Sequence, residues 1–359
     1  MRALIASGAS AGHLYPALAF AQALRRKAPG LDMAFVSSRR AGLENRIKES
    51  GYRAFFISIE PFSFHSIKKL PRAVHRLVRA FLESFFLIKK FSPDVVVGFG
   101  SYVSFPVVLS AALFKKPTVI HEQNVCLGLA NKCLSFFVDK VALSFPGTSA
   151  PGSKSLFTGN PLRRSLIRED KETARRFFGL EEKFTILTLG GSQGAHKINV
   201  EFKKAVDILE KEEDFQFIHI SGENDYSDLK NSYGCIKIKH CLFDFLAQMH
   251  LAYSLADLVV CRAGAGTISE LAYFKKAAVL VPYPYAAGHQ LENARTLNRE
   301  GAALVIEEKE LNCLKLSGRI LELMHSDARR NRLENNIQKF AIDNADEKLA
   351  ELVLSLCKK

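Results

Sequence analysis

The chain has 359 residues, of which 48% are apolar and 24% charged, with seven cysteines and a formal net charge of +13. This composition excludes a disordered chain and is long enough for two or three cores that fold without disulfide staples. No apolar run reaches the 18 residues of a membrane-spanning helix, and the strand-like start after Met1 and Arg2 lacks the longer apolar stretch of a secretion signal.

The first element, MRALIASGASAGHLYPALAFAQAL, reads as an apolar strand, a turn holding Gly8, Gly12 and His13, and a helix. Backbone amides at such a helix start suit a bound anion. Further strands are expected at 31–36, 94–98, 117–121 and 139–143, with helical stretches between them. Strands rich in Val, Ile, Leu and Phe that alternate with helices predict a parallel sheet covered on both faces.

Between the second and third of these strands, Ser66–Lys90 sets Leu70, Val74, Leu77, Phe81, Phe85 and Ile88 at helical spacing, and Val78, Leu82, Phe86 and Leu87 widen the stripe. Lys68, Lys69, Arg72, Arg76 and Arg79 lie beside it, with Glu83 as the segment's acid. The pattern predicts either a helix lying on an anionic bilayer or an ordinary core-facing helix with a solvated basic side. Residues 1–158 hold 21 Lys and Arg against 8 Asp and Glu, whereas the rest hold 29 against 29, so the first half carries the whole excess charge. Nucleic acid is the poorer match to that charge, because no aromatic-and-basic strand pattern or helical reading module accompanies it.

A turn-rich stretch, TGNPLRRSLIRED, places a domain boundary near 157–168, and beyond it FTILTLGGSQGAHKINV repeats the strand, glycine turn and helix of the N-terminus. Strands follow at 215–220, 235–238, 257–261, 278–281 and 303–306. The expected organisation is an N-terminal domain at 1–160, a C-terminal domain at 161–340 and a last helix at 341–359 packing back on the first domain. Gly98-Phe-Gly100 and Gly264-Ala-Gly266 give only half of a dinucleotide fingerprint, with Val103 and Ser269 at the third glycine position, and Ser37, Ser38, Arg39 and Arg40 stand where an acid would close the second strand. NAD and FAD are therefore excluded, as is an ATPase phosphate loop. The cysteines form no C-x-x-C pair and lie mostly in apolar runs, which predicts reduced core residues of a cytosolic protein and no structural metal.

The segment DLVVCRAGAGTISELAYFKKAAVLVPYPYAAGHQLENA carries the densest set of candidates. Thr267 and Glu270 stand near a helix start, where amides suit phosphate and a carboxylate can accept two ribose hydroxyls; their spacing equally fits a capping box. His121 and Glu122 of HEQN could be a polar strand end, and Met249 could be core. His196, His219, His240, His250 and His325 show no ligand-like clustering.

Seven blocks in order make the chain resemble a known family: GASAGHLYPALA at 8–19, DVVVGFGSYVSFP at 94–106, HEQN at 121–124, GLANK at 128–132, GNPLR at 159–163, GGSQGA at 190–195, and CRAGAGTISE at 261–270 followed by HQLENA at 289–294. It is similar to the undecaprenyl-diphospho-muramoylpentapeptide β-N-acetylglucosaminyltransferases of bacterial peptidoglycan synthesis, in glycosyltransferase family 28. The resemblance implies an α/β fold of GT-B type, two Rossmann-like parallel-sheet domains facing a cleft. It implies inverting transfer of N-acetylglucosamine from UDP-GlcNAc to the C4 hydroxyl of the lipid-linked muramoyl pentapeptide, lipid I, giving lipid II and UDP. The runner-up is another UDP-sugar enzyme of the same architecture, with a different lipid acceptor or a 2-epimerase activity.

The resemblance makes His13 the general base, with orientation of the turn or contact with the acceptor diphosphate as its other readings. Tyr102, Asn124 and Asn131 fall on the acceptor side. Amides and hydroxyls of Gly191, Ser192 and Gln193, together with Arg163, stabilise the leaving diphosphate without a metal or other cofactor, since the chain has no D-x-D. Leu246 and Met249 read uracil, Thr267 contacts phosphate, Glu270 holds the ribose, Gln290 and Asn293 meet the N-acetylglucosamine hydroxyls, and Asn199 lies near the closing loop. The implied location is the cytoplasmic face of the inner membrane as a peripheral protein, with an anionic membrane surface and other wall-synthesis proteins as partners. The chain departs from the family's glycine-rich pattern at Ala9, Ser10 and Ala11, at Ser101 and Phe105, and at Val125, and Ala287 and Gly288 replace an acid before HQ. A stiffer or differently shaped N-terminal loop is expected from the first of these.

Overall fold

The computed structural model describes residues 1–8, 10–39, 43–60, 70–151, 154–191, 194–211, 214–285 and 288–357. The expectations placed on Ala9, Lys68, Lys69, Ser192, Gln193 and Ala287, and on the side chains of Leu70 and Arg72, lie outside the described residues. The chain divides into two compact units, one of Met1–Arg163 with Ile342–Lys359, the other of Arg164–Ala341.

Unit 1 alternates strand and helix: β1 (Arg2–Ala6), α1 (Ala11–Lys27), β2 (Asp32–Ser38), α2 (Leu43–Glu49), β3 (Arg53–Ile57), α3 (Leu70–Phe91), β4 (Val95–Gly98), α4 (Ser101–Leu113), β5 (Thr118–Glu122), α5 (Leu129–Leu134), β6 (Lys140–Leu143) and β7 (Ser155–Phe157). The strands form a parallel sheet in the order β3-β2-β1-β4-β5-β6-β7. Alternate residues of β1 feed opposite faces: Ala3 and Ile5 join the core under α1, whereas Leu4 and Ala6 join the core under α3, α4 and α5. Because β1 pairs with β2 on one side and β4 on the other, the chain order reverses at β1, and a crevice opens above its carboxyl end.

Unit 2 repeats the plan with α6 (Lys171–Phe178), β8 (Phe184–Leu189), α7 (His196–Leu209), β9 (Phe215–Ile220), α8 (Glu223–Tyr233), β10 (His240–Phe243), α9 (Met249–Leu255), β11 (Leu258–Cys261), α10 (Ala265–Phe274), β12 (Ala277–Leu280), α11 (His289–Arg299), β13 (Leu304–Val305), α12 (Cys313–Met324) and α13 (Asp327–Ile337). Its order is β10-β9-β8-β11-β12-β13, again parallel, and again reversing at the first strand, β8. The chain is thus α/β with two Rossmann-like parallel sheets.

Three elements differ from the sequence reading. β3 and β7 are additional edge strands, short enough that their five and three residues carry no usable period. The strand expected at 235–238 lies instead at His240–Phe243: Ile236 and Ile238 alternate with lysines and pack partly buried on the core, but ladder pairing with β9 begins only at His240. The cysteines are free, as expected, yet only Cys261 is buried; Cys126, Cys133 and Cys235 are exposed, so the core assignment fails for most of them. They occupy loops and outer helix faces, which the apolar character of neighbouring residues concealed.

The last helix, α14 (Ala345–Cys357), lies on α1 within unit 1. Leu349, Ala350 and Val353 are fully buried there with Leu24 and Ala21, and Arg26 and Lys27 reach Asp346 at 2.9 Å and Glu351 at 2.8 Å. Partly exposed ion pairs contribute little, so the apolar seam holds the helix. Leu349→Ala is expected to cost about 2–4 kcal/mol in urea unfolding of the full chain, and Lys27→Ala less than about 1 kcal/mol; equal costs would show that the ion pairs carry the docking.

Candidate functional site

In unit 1 the candidate residues gather on the turns after β1, β4 and β5. A Cβ on Gly8 would lie 2.3 Å from Ser101 Cβ and 3.3 Å from His13 Cγ, so the first turn closes directly on the start of α4. A Cβ on Gly100, whose φ is +71°, would lie 3.4 Å from Asn131 Nδ2 and 3.5 Å from both Gln123 Oε1 and His13 Cδ2. The two glycines therefore clear the space in which the His13 ring lies. Its Nδ1 is 2.7 Å from Ser10 Oγ, and Ser10 itself precedes α1 in extended backbone. With Nδ1–H donating to Ser10, Nε2 carries the basic lone pair.

Glu122 organises the acceptor-side asparagines. Only 2% exposed, it accepts from Asn124 N–H at 3.0 Å, Asn124 Nδ2 at 3.1 Å, Gly128 N–H at 2.9 Å and Asn131 Nδ2 at 2.9 Å. Asn131 also donates to the His121 carbonyl at 3.1 Å, while its own Oδ1 is buried and has no hydrogen-bond partner among the described residues. Glu122 is thus a structural acceptor at the polar end of its strand. His121 is fully buried, its Nε2 3.0 Å from the Gly159 carbonyl and its Nδ1 accepting from Gln123 Nε2 at 3.2 Å. Burial pushes its pKa down to about 4, so the ring is neutral. Tyr102 OH lies 3.4 Å from Ser38 Oγ at the end of β2. Arg163 stacks over the Tyr15 ring at 4.8 Å, two residues from His13 on α1.

α3 presents only part of the stripe expected of it. Ile88 is buried and Phe85 packs on Phe114 with ring centroids 4.5 Å apart, so part of the expected stripe is core. The exposed row is Val74, Val78, Leu82 and Phe86, each about half exposed or more (48% to 64%), joined by Leu113 on α4 at 62%. Arg76 pairs with Glu60, and Arg79 with Glu83 at 2.8 Å; Lys89, Lys90 and Lys115 are exposed.

In unit 2 the corresponding turns follow β8 and β11. A Cβ on Gly190 would lie 2.2 Å from Ala195 N, and Gly194 N–H donates to the Gly191 carbonyl at 3.0 Å, so the described ends of the GGSQGA loop fold back on each other. After β11, α10 starts at Ala265 with Gly264 before it, which makes Thr267 its third residue and Glu270 its sixth. This removes the capping-box reading, because Thr267 is inside the helix. Glu270 instead accepts from Tyr253 OH at 2.9 Å. Gln290, at the start of α11, accepts from Tyr283 N–H at 3.0 Å.

Two donor candidates are fully buried. Asn293 donates from Nδ2 to the Ala263 carbonyl at 3.1 Å, holding the β11–α10 turn, and Asn199 lies inside a polar network behind the β8–α7 loop. Leu246 is 5% exposed and Met249 opens α9, while the neighbouring Phe245 is 59% exposed. Sequence reasoning passed over Phe245, although an aromatic between a strand end and the two named apolar positions was the available signal. It also dismissed His219 and did not single out Asp225, whose partners come from other elements.

Comparison with known proteins bears on both units. Residues 3–143 match the glycosyltransferase family 28 N-terminal domain and residues 185–351 the family's C-terminal domain. The UDP-N-acetylglucosamine–N-acetylmuramyl-(pentapeptide) pyrophosphoryl-undecaprenol N-acetylglucosamine transferase of Thermodesulfovibrio yellowstonii is 40% identical, over all of both chains. A crystal structure of Acinetobacter baumannii MurG aligns with a TM-score of 0.81 at 26% identity over 99% of each chain. The calicheamicin glycosyltransferase CalG4, at 15% identity and a TM-score of 0.74 over 99% of this chain and 98% of its own, shares the fold.

The two buried histidines give a pH dependence with a definite sign. His121 is held down to about 4 and His219 to about 3, both by burial, while an unfolded histidine titrates near 6.5. Between these values the unfolded chain binds protons that the native chain does not. Stability is therefore complete above about pH 6.5 and falls as pH drops toward 4, by up to roughly 3 kcal/mol per histidine. Urea unfolding at pH 7.5, 6, 5 and 4.5 should show this slope, and His121→Gln should flatten it; a parental stability that is level from 7.5 to 4.5 would contradict neutral burial.

Proposed function

The chain belongs to glycosyltransferase family 28, and from that membership we propose how its two units share one reaction. The activity is transfer of N-acetylglucosamine from UDP-GlcNAc to N-acetylmuramyl-(pentapeptide) pyrophosphoryl-undecaprenol, lipid I, which yields lipid II and UDP. Full-length identity of 40% to a transferase of that name carries the assignment.

On this reading unit 1 binds the acceptor and supplies the base. The C4 hydroxyl of the muramoyl sugar is a poor nucleophile at neutral pH, and a base within hydrogen-bond reach removes its proton as the bond to the anomeric carbon forms. The bond from that carbon to the diphosphate breaks, UDP leaves, and the α-linked donor becomes a β-linked product. His13 supports this role because Ser10 Oγ, 2.7 Å from its Nδ1, orients the ring at the turn after β1. Tyr102, Asn124 and Asn131 line the acceptor side, the asparagines ordered by Glu122.

Unit 2 holds the donor. Leu246 and Met249 meet the uracil, with Phe245 offering an aromatic face, Glu270 holds the ribose and Thr267 the phosphate. Gly191, Ser192 and Gln193, with Arg163, stabilise the charge that develops on the leaving diphosphate, and the step needs no metal ion. Gln290 reaches the sugar hydroxyls, and Asn293 shapes that subsite through the turn it holds.

No described helix is long and apolar enough to cross a membrane. The acceptor is nonetheless a lipid, and the exposed row Val74, Val78, Leu82 and Phe86 beside Lys89 and Lys90 supports docking of unit 1 on the anionic cytoplasmic face of the inner membrane. Other wall-synthesis proteins act on the same lipid and are partners on this reading.

Purified chain mixed with UDP-GlcNAc and lipid I is expected to release UDP and form the disaccharide lipid; absence of product with a folded chain would refute the assignment. His13→Ala should slow single-turnover transfer by roughly 10²–10⁴-fold with UDP affinity near the parent's, and transfer at the parental rate would remove His13 as base. Leu82→Glu with Phe86→Glu should lower co-sedimentation with anionic vesicles and slow transfer to lipid I while sparing a soluble short-chain acceptor. Full pelleting of that folded variant across a salt series would place the docking surface elsewhere.

A further inference from the structure

Asn199 is the third residue after His196 at the start of α7, directly behind the glycine loop, and it is fully buried. Its amide is fully committed. Nδ2 donates to the Ser221 carbonyl at 2.8 Å and to Asp225 Oδ2 at 2.7 Å, and Oδ1 lies 3.0 Å from His219 Nε2. Two oxygen acceptors facing Nδ2 fix the orientation of the amide, so His219 Nε2 must carry the proton it donates to Oδ1. His219 Nδ1 then accepts from Tyr233 OH at 2.7 Å. Each of these groups has a partner, and burial holds His219 in its neutral form, which pairs with both neighbours.

The outer end of the chain reaches the loop by two routes. Asp225 Oδ1 meets Nδ1 of the exposed His196 at 2.8 Å, one residue past the loop. The Ser221 carbonyl, which the Asn199 amide holds, is the atom that a Cβ on Gly194 would strike at 2.3 Å. Gly194 therefore packs straight onto the peptide that Asn199 fixes, and Gly194 N–H closes the turn onto Gly191.

We infer that His219, Asn199 and Asp225 are positioning residues that set the backbone of Gly194, at the described end of the β8–α7 loop, for the diphosphate of the donor, with Asn199 acting through Gly194 instead of touching the donor. The inference rests on unit 2 being the donor side. Removing one member leaves buried groups unpaired and frees the Ser221–Gly222 peptide to shift, and Gly194 shifts with it. The ribose position keeps its own support, Tyr253 OH on Glu270, so the defect is expected chiefly in diphosphate recognition.

The test is calorimetric titration of the full chain with UDP and, separately, with uridine, for the parent, Asn199→Asp, Asp225→Ala and Asp225→Asn. Asn199→Asp and Asp225→Ala are each expected to weaken UDP by roughly ten-fold or more while leaving uridine within about two-fold of the parent. Asp225→Asn keeps an acceptor for the Asn199 amide and should restore most of the UDP affinity. In transfer assays the KM for UDP-GlcNAc should rise with no change in the KM for lipid I. Equal loss of UDP and uridine would mean that the unit as a whole is disturbed and would overturn the inference. So would a defect in Asn199→Asp with Asp225→Ala silent, which would make Asn199 a direct donor contact. A parent that binds no UDP would refute the donor reading itself, whereas a binding parent with silent variants would refute only the relay.

Discussion

Each unit depends on a backbone approach that has no room for a side chain. In unit 1 the turn after β1 meets the start of α4 at Gly8, and in unit 2 the turn after β8 meets the start of α8 at Gly194; an added Cβ would collide at 2.3 Å in both cases. The approach follows from topology. In unit 1 the strand order reverses between β1 and β4, so the turns that leave them in opposite directions stand side by side at the carboxyl ends. In unit 2 Gly194 instead meets the turn after β9, the next strand on the other side of β8 from the reversal; in both, glycine lets the turns close. Within each unit the closed turn brings peptide N–H groups close to a helix start, an arrangement suited to an anion.

Polar side chains that reinforce these turns are buried and neutral or fully paired. Glu122 gathers four N–H donors behind the turn after β5, and His219 closes the chain behind the turn after β8. Low local dielectric makes such a network costly to leave half-satisfied, so each fixes one geometry of its loop. His121 does the same work at the edge of unit 1, tying the HEQN strand end to the Gly159 carbonyl where the chain leaves for unit 2. The histidine proposed as base differs from these two. His13 is only partly buried, and a short bond between its Nδ1 and Ser10 Oγ orients the ring.

Much of this was legible in the sequence because the central strands announce themselves. VVVG, FTILTL and LVVC are continuous apolar runs, as strands covered on both faces must be, and they sit at or beside the reversal points of their sheets. Edge strands such as Ser155–Phe157 have one neighbour and little burial, so their residues are under weak constraint and leave no period to read. The glycine turns were legible as chemistry, but the residues that hold them were not. Asn199, His219 and Asp225 lie on three elements, and nothing in their spacing says that they meet. The α3 stripe held only in part for a related reason: helical periodicity finds an apolar face but cannot say which part of a wide one a neighbour such as Phe114 will cover.

The departure at Ser101 shows how far such a frame can bend. Ser101 opens α4 with a φ of +65°, the left-handed region that favours glycine, and its side chain is the one against which Gly8 closes. A serine there costs of order 1 kcal/mol relative to glycine in backbone strain, offset in part by the smaller conformational freedom of the unfolded chain. The conformation is held because Gly8 has no Cβ to oppose it and because Ser104 ties the turn, its hydroxyl reaching the carbonyls of Ala6 and Gly100. Two small residues thus share the clearance that a pair of glycines would provide, and the remaining space goes to a hydroxyl at the mouth of the crevice. A loop poor in glycine is in this way still able to close, since the constraint falls on the pair of facing positions and not on either one alone.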